Sequence, residues 1–184
     1  EKVDTLMIGG GMAYTFFKAK GYEIGTSLCE DDYIQTAKEI MDKAKELNKT
    51  LYLPIDNVVA DKFDNDANRK IVDCNAIPSG WMGMDVGDKT LKELEIILRS
   101  AKTIVWNGPL GVFEMSNFAK GTFETAKFIA NSGAVSIIGG GDSVSAVNKS
   151  GVADKMTHIS TGGGASLEFL EGIELPGIKV LQDK

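Results

Sequence analysis

The sequence predicts an α/β domain of three layers, αβα, with helices on both faces of a mostly parallel sheet. Three observations carry that prediction. Short apolar runs alternate along the chain with segments of helical period, and tight joins between them fit parallel strands whose crossovers are the helices. Three of the apolar runs end on the same feature, a glycine triplet: Gly9 to Gly11, Gly139 to Gly141 and Gly162 to Gly164. At 21 glycines in 184 residues, a random order would hold about a quarter of one such triplet. The third observation is a 43% apolar composition, enough to bury a core in one domain spanning 1–184.

The elements follow in chain order. Val3 to Ile8 predicts a strand, the first triplet a turn, and Met12 to Lys20 a helix stopped by Gly21. From Asp31 to Asn48 apolar residues recur at Tyr33, Ile34, Ala37, Ile40, Met41, Ala44 and Leu47, with acids first and lysines later, as the helix dipole prefers. Leu51 to Ile55 predicts a strand, and Asn57 to Asn75 a small hairpin. The glycine-rich stretch Ile77 to Gly87 reads as turns, and a helix runs from Asp88 to Ser100. Thr103 to Trp106 predicts a strand, Asn117 to Asn131 a helix, and Ala134 to Ile138 a strand entering the second triplet, with a helix from Ser143. Met156 to Ser160 opens the last repeat.

In an open parallel sheet the loops after strand ends lie along one edge, so three glycine turns after three strands are expected to line one crevice. Glycine lets backbone amides approach a ligand with no Cβ in the way. A following helix N-terminus adds unpaired N–H groups and a positive dipole end, which suits phosphate. The competing reading is a tight turn with close helix and strand packing. Asp142, after Gly141, has two readings as well: a cap for the helix that follows, or a carboxylate holding Mg²⁺ on nucleotide phosphates. Neither G-x-x-x-x-G-K-[ST] nor an intact G-x-G-x-x-G occurs, which argues against a P-loop and against a nicotinamide-dependent oxidoreductase.

Net charge −6 argues against a nucleic-acid or anionic membrane surface. No apolar run is long enough to span a bilayer, and the start E-K-V-D-T has no signal-peptide pattern. A cytoplasmic location is expected, and the absence of an initiator Met suggests a fragment. Cys29 and Cys74 lack metal or redox spacing and read as structural thiols. Trp81 and Trp106 read as core anchors, with base stacking as the alternative, and the single histidine, His158, reads as structural. Between the turns lies T-I-V-W-N-G-P-L-G-V-F-E, Thr103 to Glu114, where Glu114 is either a solvated carboxylate or an acceptor for ribose hydroxyls.

Together I-G-G-G-M-A-Y-T-F, G-W-M-G-M-D-V-G, I-V-W-N-G-P-L-G-V-F-E, G-G-G-D-S and H-I-S-T-G-G-G-A-S-L-E resemble the phosphoglycerate kinase family, in that family's order and over essentially the whole chain. The part resembled is the C-terminal, Rossmann-like nucleotide-binding domain. The resemblance implies transfer of the acyl phosphate of 1,3-bisphosphoglycerate to Mg-ADP, giving 3-phosphoglycerate and ATP in glycolysis. It implies an adenine slot of Gly9, Gly10, Gly83, Met84 and Val112, with Glu114 on the ribose and Asn107 and Pro109 along the sugar and first phosphate. Gly140, Gly141, Asp142 and Ser143 would hold the distal phosphates, Asp142 would hold Mg²⁺, and Gly141, Gly163 and Gly164 would face the phosphoryl group in flight. The family's phosphate-contacting lysine, in a turn after a further opening strand, has no counterpart before Glu1, and the substrate domain that binds phosphoglycerate is also absent. The chain alone is therefore expected to lack turnover, and a non-catalytic nucleotide-binding module is the alternative. The whole enzyme is expected to be monomeric. A shorter chain with an exposed sheet edge is expected to self-associate. Met84 replaces a common leucine, Ser79 a common acid, and Ser143 a threonine.

Overall fold

The computed structural model describes residues 2–160 and 162–180. Its contacts divide into two compact units, one of Glu1–Ile96 with Pro109–Thr125 and one of Ile97–Gly108 with Ala126–Lys184.

In the first unit, β1 (Thr5–Met7) runs parallel to β2 (Thr50–Tyr52), with Leu6 opposite Leu51. The helices α1 (Met12–Ala19) and α2 (Ile34–Glu46) lie between them in sequence. α1 is buried through Ala13, Tyr14, Phe16 and Phe17, and the rings of Tyr14 and Phe17 meet edge to face at 5.8 Å. The expected stop at Gly21 is there, at φ +82, a left-handed conformation glycine adopts without a Cβ penalty. The helix predicted from Asp31 opens as a 3₁₀ turn, Asp31–Tyr33, before becoming α-helical.

The predicted hairpin is present as β3 (Asp56–Ala60) and β4 (Arg69–Asp73), antiparallel with Val58 opposite Ile71. A third strand, β5 (Met82–Val86), pairs with the other side of β3, where the sequence suggested only turns. Its residues do alternate, but Gly83 contributes no side chain to the pattern; a Cβ there would overlap the Tyr14 ring. Tyr14, Phe17, Ile24, Val59 and Ile77 form the main core cluster, and Ala60, Ala67, Met84 and Phe118 a second.

α3 (Asp88–Ser100) starts straight after β5, and its N-terminus is capped from outside the helix. The Asp56 carboxylate of β3 accepts the N–H groups of Lys89 at 3.0 Å and Thr90 at 2.8 Å, and the Thr90 hydroxyl at 2.7 Å. Asp56 is 1% exposed and Thr90 fully buried, so these bonds are shielded from water and strong. α4 (Lys120–Asn131) follows a 3₁₀ turn at Ser116–Phe118.

In the second unit, β6 (Thr103–Asn107), β7 (Val135–Gly139) and β8 (His158–Ile159) form a parallel sheet in the order β6-β7-β8. α5 (Gly141–Lys149), α6 (Gly163–Glu171) and α7 (Pro176–Lys179) complete it. Ile138, Ala146 and Val147 are fully buried. Ser136 and Thr157 exchange two bonds, each backbone N–H donating to the other's hydroxyl, at 3.1 and 3.0 Å. The α/β class is the one predicted; the antiparallel β4-β3-β5 sheet is added to its parallel strand pairs.

Candidate functional site

The motif Asn107 to Glu114 is divided between the units at the Gly108–Pro109 bond, so each half has its own geometry. In the first unit the glycine turn Gly9–Gly11 is packed against the protein's own loops. The Leu110 side chain lies where a Cβ on Gly9 would stand, the Pro109 carbonyl crowds Gly10, which has φ +59, and Leu28 covers Gly11. These glycines therefore make room for backbone and leucine, the packing reading of the sequence, while holding Pro109 and Leu110 against the end of β1.

The Val112 N–H donates to the Met84 carbonyl at 2.9 Å, and Val112 packs on the cluster that contains Met84. Two of the five residues that the resemblance assigns to an adenine slot are thus brought together. Gly83 N–H donates to the Ser27 hydroxyl at 2.9 Å. Phe113 is buried and meets the Phe123 ring at 6.4 Å, while Glu114 beside it is exposed. Alternation along the loop thus anchors the apolar residue and leaves the carboxylate in solvent. The loop is held from α4 as well, where Thr122 Oγ1 accepts the N–H groups of Leu110 and Gly111, each at 3.1 Å. Sequence reasoning missed Leu28, Leu110 and Thr122. Their only signal is an apolar or hydroxyl side chain near a glycine-rich segment.

In the second unit Trp106 is 8% exposed, and its indole N–H donates to the Gly108 carbonyl at 2.7 Å. It is a core anchor that also fixes the turn after β6. The Gly108 N–H donates to Ser143 Oγ at 2.6 Å. Ser143 is fully buried, so its hydroxyl serves this turn. The Asn107 amide lies 3.3 Å from where a Cβ on Gly140 would stand, and Gly140 has φ +87; that backbone requires glycine.

Gly141 has open space around its Cα and is exposed. Asp142 stands exposed in the first turn of α5, past the cap position held by Gly140, and its carboxylate makes no hydrogen bond or ion pair among the described residues. The first N–H groups of such a helix have no intrahelical acceptor. The second triplet thus leaves amides and a carboxylate open to solvent, unlike the first.

The third triplet opens α6, with Gly164 exposed and nothing within reach of its missing Cβ. Gly163 is the first residue of that helix. His158 is exposed on β8 and borders an apolar groove with Val105, Ile137 and Phe169. Trp81 lies under the Lys70 ammonium, 4.1 Å from its ring. No group of three or more His, Cys, Asp or Glu gathers as a metal cage among the described residues. A single carboxylate beside open helix amides does fit a divalent cation that arrives on phosphates, because Mg²⁺ is commonly held by one or two carboxylates with the phosphates themselves. No helix among the described residues is long and apolar enough to cross a membrane.

A model of the phosphoglycerate kinase family matches residues 1–173. A phosphoglycerate kinase of Clostridium botulinum is 64% identical over 184 residues, covering all of this chain and 46% of that protein. One of Clostridium kluyveri is 62% identical with the same coverage. The solved phosphoglycerate kinase of Coxiella burnetii superposes with a TM-score of 0.93 at 47% identity, over 97% of this chain and 46% of that one. That of Pyrococcus horikoshii gives 0.81 at 36% identity, over 96% and 44%. With this agreement in motif order, sequence and backbone, the chain belongs to the phosphoglycerate kinase family and spans about half the length of the relatives it matches.

Proposed function

We propose that the chain binds Mg-ADP and Mg-ATP, and that within a whole phosphoglycerate kinase it presents ADP to the acyl phosphate of 1,3-bisphosphoglycerate, giving 3-phosphoglycerate and ATP. The observation that supports this best is the second glycine turn: Gly140 in a left-handed conformation, Gly141 open, and Asp142 exposed and unpaired at the start of α5. In the first unit Gly9, Gly10, Gly83, Met84 and Val112 are assigned to the adenine and Glu114 to the ribose. Asn107 and Pro109 are assigned to the sugar and first phosphate, and Gly140 to Ser143 to the distal phosphates through backbone N–H groups. Asp142 is the carboxylate for the Mg²⁺ that accompanies the nucleotide.

Phosphoryl transfer depends on positioning and on neutralising charge spread over phosphate oxygens. Backbone N–H groups at the starts of α5 and α6, from Gly141, Gly163 and Gly164, meet that requirement without a proton-transfer residue. The bound cation supplies further charge neutralisation. The exposed His158 has no assigned step.

Calorimetric titration of the chain with ADP, with and without Mg²⁺, tests the proposal. Glu114→Ala is expected to weaken ADP binding by roughly 1 kcal/mol, the size of one hydrogen-bonded contact. Asp142→Ala is expected to leave metal-free binding intact and abolish the gain from Mg²⁺. Equal Mg²⁺ enhancement in Asp142→Ala would refute the metal assignment, and no ADP binding by folded chain would refute the nucleotide reading.

A further inference from the structure

Asp85 follows Met84 on β5 and is 2% exposed. Its Oδ2 accepts the Gly121 N–H of α4 at 2.8 Å, and its Oδ1 accepts the N–H of Val86 at 2.8 Å. A Cβ on Gly111 or on Gly121 would overlap this carboxylate, so two glycines from different segments close around it. The next residue of α4, Thr122, holds the N–H groups of Leu110 and Gly111, while the Met84 carbonyl holds that of Val112. The loop is therefore clamped between β5 and α4, with the carboxylate filling the space between them. Packing alone does not call for a charge here; a buried carboxylate is costly to desolvate, and an apolar group of its volume would pack as well.

We infer that Asp85 is a positioning residue whose carboxylate sets the loop from Leu110 to Glu114 against the first turn of α4. Its consequence for ligand binding rests on the proposed nucleotide reading, because that loop carries Val112 and Glu114. The latch itself rests on the geometry.

Burial raises the Asp85 carboxyl to about 7, against the opposing pull of the Gly121 and Val86 N–H groups and of Lys120. Lys120 is exposed at the start of α4 and pairs with Asp88 of α3 at 2.6 Å; Glu124 of α4 also acts on it. From α1 the group that faces Asp85 is the Tyr14 hydroxyl, held neutral by its burial and by the negative Asp85. The two amides favour the ionised carboxylate, but burial outweighs them, so the closed latch holds the Asp85 proton more tightly than an opened, solvated one would. The latch should therefore loosen as pH rises toward about 7 and level off above it.

Amide hydrogen exchange on the nucleotide-free chain tests this, read as protection factors for Leu110, Gly111, Val112 and Gly121, with Asp85→Asn alongside. Protection in the unmodified chain should drop roughly tenfold, the equivalent of one pKa unit, as pH rises from about 6 to about 8. In Asp85→Asn, which offers one acceptor oxygen at every pH, protection should stay at the low-pH level. Flat protection in the unmodified chain, or the same pH dependence in Asp85→Asn, overturns the inference. Should that variant fail to fold, the unmodified chain decides alone, with Thr122→Val as control: it should lower protection of Leu110 and Gly111 at every pH without moving the midpoint. ADP affinity, measured over the same range, should weaken several-fold more with rising pH in the unmodified chain than in Asp85→Asn; equal weakening would remove the link to binding. If ADP binds to neither, the nucleotide reading fails while the exchange data still decide the latch.

Discussion

Asp85 also shapes the stability of the first unit. Its carboxyl is raised from 3.8 to about 7, chiefly by burial, so between those values the folded chain holds a proton that the unfolded chain has released. Stability must then fall as pH rises through that window and level off above it. A three-unit shift corresponds to about 4 kcal/mol as an upper bound, reduced by any water that reaches the group. Asp85→Asn cannot ionise, so denaturant midpoints at pH 5 and pH 8 should differ by less in this variant than in the unmodified chain; an equal difference would show that other groups set the pH dependence. Asp85 was not legible as a special residue in the sequence, because its depth depends on Gly111 and Gly121, distant in sequence, closing on it. Glu114 and Asp142 are singled out by motif position, and both stand exposed. The Ser143 hydroxyl accepts the Gly108 N–H, a bond that its motif position does not announce.

Among the elements, the N-terminus of α3 gives the sharpest test. Asp56 on β3 supplies the cap that the helix's own sequence lacks, joining the antiparallel sheet to the helix through three bonds at 2.7 to 3.0 Å. Asp56→Ala should cost about 3 kcal/mol, because buried donors lose a charged acceptor; Thr90→Val should cost less, because it removes the hydroxyl and leaves the backbone bonds. Urea denaturation checks both, and a loss under roughly 0.5 kcal/mol, typical of surface changes, would mean that the cap is dispensable. Helical period made α2 and α3 readable, since each has a long polar and apolar alternation of its own. β5 was not readable, because a glycine under the Tyr14 ring breaks a two-residue pattern that only five residues carry. The glycine triplets were readable as turns but not as distinct turns: the first is filled by Leu110 and Pro109, whereas Gly141 in the second and Gly164 in the third stand open.

For the whole molecule, the relatives extend to about twice this length, and the phosphoglycerate side of the proposed reaction is assigned to the part these 184 residues do not include. A protein consisting of these residues alone should show no phosphoglycerate kinase turnover above background in a coupled assay, since positioning of the second substrate is lost; robust turnover by contaminant-free protein would contradict this. The family was the most legible property of all, because long motifs in fixed order do not depend on where each side chain ends up. The most direct test of the nucleotide site is an amide chemical-shift map of the chain on addition of Mg-ADP. Shifts concentrated at Gly141, Asp142 and Ser143 in the second unit, and at Met84 and Val112 in the first, are the predicted result. Saturating Mg-ADP that leaves those amides unmoved, or moves only others, would contradict the account.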